Sequence, residues 1–196
     1  MKVSYLLMIL VAAGCGRHGQ APKDNRASLL DGTWVSSCIQ IDVSLWRKGT
    51  TVASGNVTTG EVTYYTTPGC LSAVTSFRET YTYTIGAPVA GLSKTYNIDE
   101  TTTKVEIAFF GTDVSTENKN AAFGKTTWVA GVYQDVTGLA WTEASLPQDF
   151  SGHVYYSIVK VDGDMAQSGD SSSVNDGSTP DKRPTTLSTT ITYTRQ

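Results

Sequence analysis

Phe77-Arg-Glu-Thr-Tyr-Thr-Tyr-Thr-Ile85 is the stretch on which the fold turns. Phe77, Tyr81, Tyr83 and Ile85 occupy one parity, and Arg78, Thr80, Thr82 and Thr84 occupy the other. Successive side chains of an extended chain point to opposite faces, so this alternation predicts a strand with one buried side. Gly86-Ala-Pro88 closes it, because proline has no N–H to give a ladder. The pattern returns at Val105, Ile107 and Phe109 against Lys104, Glu106 and Ala108, and at Leu187, Ile191 and Tyr193 against Ser188, Thr190, Thr192 and Thr194. Less regular strands are expected over 33–46, 51–66, 94–100, 128–136 and 153–161, where Thr, Val, Tyr and Ile suit a pleated, half-buried surface. Only 139–150 offers helical material, and Pro147 cuts it short. Polar stretches at 111–127 and 168–184 read as long loops. About eight or nine strands separated by turn signals predict one antiparallel all-β domain, a barrel or a sandwich, over residues 28–196.

Upstream of that domain the texture changes. Met1-Lys2 is followed by an apolar run, 3–13, that ends in Ala12-Ala13-Gly14 directly before Cys15. A run this short fits the core of an export signal and falls well below the ~20 residues that span a bilayer as a helix. The small residues before Cys15 resemble the bacterial lipobox, in which the cysteine receives a diacylglycerol and becomes the new N-terminus. That resemblance implies a signal peptide over 1–14, lipidation at Cys15 and a bilayer as partner. By the same resemblance, Gly16, standing where Asp would signal retention in the inner membrane, implies the outer membrane. Residues 15–27 are polar and aperiodic and read as a flexible tether.

Composition narrows the function. The net charge is −3 and no basic patch stands out, so nucleic acid is not an expected partner. Once Cys15 is acylated, Cys38 and Cys70 remain as an even pair in an oxidising compartment, where a disulfide is expected. There is no Cys-x-x-Cys, and His18 and His153 are the two histidines. Ser151 and His153 share a parity, but no oxyanion hole or acidic partner is recognisable, so no catalytic site is expected. Asp162-Gly-Asp164, Asp170 and Asp176 lack the spacing of a calcium loop and read as turn residues. No metal or cofactor is expected.

Leu30-Asp-Gly-Thr-Trp34 opens the domain with a Gly-x-Trp at its first strand. That motif resembles the start of a lipocalin, whose tryptophan plugs one end of a small barrel beneath an arginine from the last strand. Trp34-x-x-x-Cys38, Tyr65-Thr-Thr-Pro-Gly-Cys70, Tyr81-Thr-Tyr-Thr-Ile85-Gly86 and Arg183-Pro-Thr-Thr-Leu187 are similar to segments of lipocalin-like bacterial lipoproteins. The resemblance implies a lipocalin-like β-barrel, with a β-sandwich as the alternative. It also implies that Arg195 or Arg183 covers the ring of Trp34. With 4 Trp, 10 Tyr and 5 Phe, aromatics are plentiful enough to fill a core and to wall a pocket. Two roles are therefore expected: an envelope lipoprotein whose cup holds an amphiphilic small molecule, or one that contacts other envelope components and has no cavity.

Overall fold

The computed structural model describes residues 25–139 and 152–196. The expected signal peptide, Cys15, most of the tether, residues 140–150 of the expected helical stretch and Ser151 lie outside the described residues. The chain enters through a 3-10 helix, Asn25–Leu30, so the last residues assigned to the tether are already part of a regular turn.

Among the described residues ten strands follow: β1 (Gly32–Ser36), β2 (Ile39–Asp42), β3 (Leu45–Ser54), β4 (Val57–Tyr65), β5 (Ala73–Pro88), β6 (Thr95–Phe109), β7 (Gln134–Asp135), β8 (Val154–Asp162), β9 (Met165–Gly169) and β10 (Leu187–Arg195). They form one antiparallel sheet in the order β1-β10-β9-β8-β6-β5-β4-β3, and β3 pairs back onto β1. Trp34 marks the closure, facing Arg195 of β10 on one side and Thr51 of β3 on the other. The result is a closed eight-stranded barrel of lipocalin-like architecture, which removes the sandwich alternative. β2 extends β3 beyond β1, and β7 pairs only with β6.

The expected strand over Phe77–Ile85 lies inside β5, which runs further in both directions. Its partner β6 carries both the 94–100 and the 105–109 patterns as one long strand. Thr80 pairs with Lys104 and Tyr81 with Thr102, so Thr103 is an extra residue. This bulge flips the parity of β6: Ile98 and Glu100 face inward before it, and Val105, Ile107 and Phe109 after it. Thr103 Oγ1 donates to the Thr80 carbonyl across the bulge, at 2.9 Å.

Four other expectations are corrected. The 51–66 segment is a hairpin, with β3 turning into β4 at Gly55-Asn56; Gly55 supplies the left-handed conformation (φ 63°). The 33–46 segment is three pieces: β1, β2 and the start of β3. The polar 111–127 stretch contains a short helix, α1 (Asp113–Asn120), that buries none of its residues. It was invisible to periodicity because it has no apolar face, and its C-terminus is instead capped by Ala121 in the left-handed region.

Most of 128–136 is not strand. Gly131 (φ 70°) breaks it, and only Gln134–Asp135 pairs, with Glu106 and Ile107. Trp128 turns into a core cluster with Ile107, Phe109, Ala122, Phe123 and Val136. Its ring stands edge-on to Phe109 at 4.8 Å, and Asn118 holds its backbone at both N–H and C=O. A second cluster, Tyr83, Ile85, Ile98 and Val159, packs with Leu29 and Leu30. The interior between these clusters is where function must be sought.

Candidate functional site: the barrel interior

Trp34 is 2% exposed, and its indole N–H donates to the Leu30 carbonyl at 2.7 Å. The Arg195 guanidinium lies over the ring, 4.4 Å from its centroid. It also donates to the carbonyls of Asp31 and Leu29, which ties the last strand to the entering helix. This end of the barrel is therefore shut by one aromatic ring, one cation and one turn of helix.

Arg183, the other arginine considered for this contact, stands elsewhere. It donates to the carbonyls of Ile98 and Ser157 and pairs with Asp99 at 2.6 Å, with its guanidinium 5.4 Å from the Tyr156 ring centroid. Pro184 fixes the backbone just after it and is buried against Gly169. Arg183 thus anchors the 170–186 connection to β6 and β8 and plays no part in covering Trp34.

Trp34 is also the floor of a cavity of about 230 Å³. Its apolar walls come from Leu30, Ala53, Ile98 and Ala166, and its polar edges from Thr51, Thr58, Tyr81, Glu100 and Tyr193. Register explains the assembly. Ser36 faces Tyr193 beside the Trp34–Arg195 pair, Ala53 faces Thr58, and Thr58 faces Tyr81. Glycine makes room for one ring: a Cβ on Gly49 would lie 2.7 Å from the Tyr193 hydroxyl. The volume is below the ~300–1,000 Å³ of pockets for drug-sized ligands, so any occupant is small.

The polar groups are unusually placed. Glu79 shares the inward face of β5 with Tyr81, and Glu100 lies across the ladder from Tyr83. Burial pushes the Glu100 carboxyl up to about 7, with further increments from Glu79 and Asp99. Burial raises Glu79 as well. The Tyr81 hydroxyl is pushed well above its ordinary value by burial and then by Glu100, Tyr193 and Glu79, so these groups crowd one region. Burial raises Tyr193 too, while Arg47, hydrogen-bonded to it, pulls the other way. Thr58 is 2% exposed, and its Oγ1 has no hydrogen-bond partner among the described residues.

The remaining sequence candidates fall outside this interior. Cys38 and Cys70 are bonded, with Cα atoms 5.9 Å apart, and tie the β1–β2 break to the β4–β5 connection. His153 is exposed just before β8. Asp162 and Asp164 flank the β8–β9 turn and pair with Lys94 and Arg195, and Asp176 accepts from Ser178. Sequence reading did not single out Glu79, Glu100 or Thr58. Glu79 left a signal: it is a charged residue at the apolar parity of the most regular strand.

Fold and site together define a closed antiparallel barrel with a small, partly acidic interior pocket. No protein-family model matches the chain, and no curated protein matches it either.

Proposed function

We propose that this chain is a bacterial envelope lipoprotein, anchored through Cys15 to the outer membrane, whose barrel binds a small amphiphilic molecule. The observation that carries the binding half is the cavity of about 230 Å³, floored by Trp34 and mixing apolar walls with tyrosine, threonine and carboxylate edges. Buried space lined this way discriminates by shape and by a few polar contacts, which is how small-molecule sites work. The anchoring half rests on the sequence alone, on Ala12-Ala13-Gly14-Cys15.

A second reading has its own observation. Val43, in the β2–β3 turn, and Leu71, next to Cys70, are 87% and 82% exposed. Such side chains suit a contact with another envelope protein, the role of a lipoprotein that needs no ligand.

Native mass spectrometry of the protein extracted from its own membrane in mild detergent tests the proposal. Expected are a diacylglyceryl mass increment that Cys15→Ser abolishes, with release of that variant from the membrane fraction, and a co-purifying small molecule. A membrane-bound Cys15→Ser variant would overturn the anchor. An empty barrel under every extraction, together with a stoichiometric protein partner, would favour the second reading.

A further inference from the structure

The cavity region holds more carboxyl groups than the fold needs. Glu100 lines it, and Glu79 shares the inward face one step beyond Tyr81. Among the described residues neither carboxylate has an ion-pair partner or a hydrogen-bond donor. A buried carboxylate without either is costly, and in structural cores such groups are paired. Thr58 adds an independent observation. Its hydroxyl is buried, belongs to a residue lining the cavity and is also without a partner among the described residues. Buried polar atoms of a native protein are satisfied in the great majority of cases, so this one marks the place of a polar group from outside the chain.

Resting on the reading of the barrel as a binding cup, we propose that its ligand is a small amphiphilic organic cation: a protonated amine on a short apolar body. The ammonium would meet the carboxylates of Glu100 and Glu79 and donate to Thr58 Oγ1. The apolar body would lie against Trp34, Ala53 and Ile98. The rings of Trp34, Tyr81 and Tyr193 add faces that attract a cation. Arg47 argues for the opposite charge: its Nε is buried without a partner among the described residues, but the guanidinium is hydrogen-bonded to Tyr193 and does not line the cavity, and hexanoate below is the probe for it.

Binding should depend on pH. The groups facing Glu100 are Glu79, Tyr81 and Tyr83 of β5, Tyr155 of β8, Tyr193 of β10 and, beyond it, Arg47 of β3, with Asp99 adjacent in the chain. Burial raises Tyr81, Tyr83 and Tyr193, so of these groups it is the carboxylates that titrate near neutrality. A group titrating near 7 goes from mostly neutral at pH 6 to mostly ionised at pH 8, while an alkylamine stays charged.

Three probes with one six-carbon body separate the possibilities: hexylamine, hexanoate and hexanol, titrated calorimetrically into the delipidated full-length mature protein. Expected is a preference for hexylamine of at least about tenfold over the other two, tightening about tenfold from pH 6 to pH 8. Glu100→Gln should cut the preference to what Glu79 alone supplies and flatten the pH dependence around 7. If that variant does not fold, the pH profile of the unaltered chain decides. Equal binding of hexylamine and hexanol, or a preference for hexanoate that Arg47→Met removes, would overturn the cationic ligand and leave the cup intact. No binding of any probe to a folded, ligand-free barrel would overturn both.

Discussion

Trp34 serves two purposes, and they can be separated by substitution. It shuts one end of the barrel under Arg195 and it floors the cavity. Truncation to Ala should cost ~3–5 kcal/mol, as for any large buried aromatic. The cation–π contact alone should be worth ~0.5–2 kcal/mol. A double-mutant cycle of Trp34→Phe with Arg195→Met, read by chemical denaturation, should therefore show a coupling term, because the two side chains touch. The same cycle with Arg183→Met should be additive, since Arg183 packs on Tyr156. Coupling to Arg183 and none to Arg195 would contradict the placement of the last strand.

Glu100 gives the second prediction at this scale. Its carboxyl is raised from 4.5 in a free chain to about 7 in the barrel, so the folded state holds a proton that the unfolded state has released. Stability from this group is complete below about pH 4.5 and is lost as pH rises through about 7, at up to roughly 1.4 kcal/mol per pH unit. Denaturation of the ligand-free protein should show stability declining between pH 5 and pH 7.5. Glu100→Gln should flatten that slope and leave the variant more stable than the parent at pH 8. A stability that climbs with pH over this range would mean that Glu100 has found a counter-charge.

Among the elements, β5 and β6 show why some of the fold was legible and some was not. The β5 alternation runs from Phe77 to Ile85 with Glu79 as its one exception, so period two alone identifies it. In β6 the bulge at Thr103 shifts the inward parity from even to odd numbers, and one strand therefore reads as two. Neither half is misread, but the join is decided by pairing with β5, which local pattern cannot supply. Helix α1 fails for the opposite reason: Asp-Val-Ser-Thr-Glu-Asn-Lys-Asn has no apolar face to detect. Trp128 and its valine neighbours looked like strand because aromatics favour sheets, yet packing against Phe109 overrides that preference.

The disulfide acts on the same scale. It closes a loop between residues 32 apart, spanning β2, β3 and β4. In the chain-entropy account a loop of that length is stabilised by ~3–4 kcal/mol. Reduction, or Cys38→Ala with Cys70→Ala, should lower the thermal midpoint by several degrees without altering the sheet content seen by circular dichroism. Two free thiols found by alkylation of unfolded, unreduced protein would show that the bond is not made.

For the molecule as a whole, the barrel and the plug at its Trp34 end could be read from residues 30–34 and from the final strand, where Arg195 has the right parity. The site could not. Glu79, Glu100 and Thr58 come from three neighbouring strands and meet only when β4, β5 and β6 pair in register, and their significance lies in the partners they lack. Sequence can propose a charge at an apolar position, but it cannot tell that no counter-charge arrives. The aromatic count allowed both a filled core and a walled pocket, and the structure contains both: Trp128 and Phe109 in the core, Trp34, Tyr81 and Tyr193 around the cavity.

The central claim is that the barrel interior is a ligand site, and the most direct measurement is an NMR titration of the isotope-labelled mature protein with hexylamine at pH 8. The expected result is a saturable set of shift changes confined to amides and methyl groups of the cavity wall, Ala53, Thr58, Ile98 and Ala166 foremost, together with the indole N–H of Trp34. Shift changes confined to exterior residues such as Val43 and Leu71, or none at concentrations up to the solubility of the probe, would contradict it.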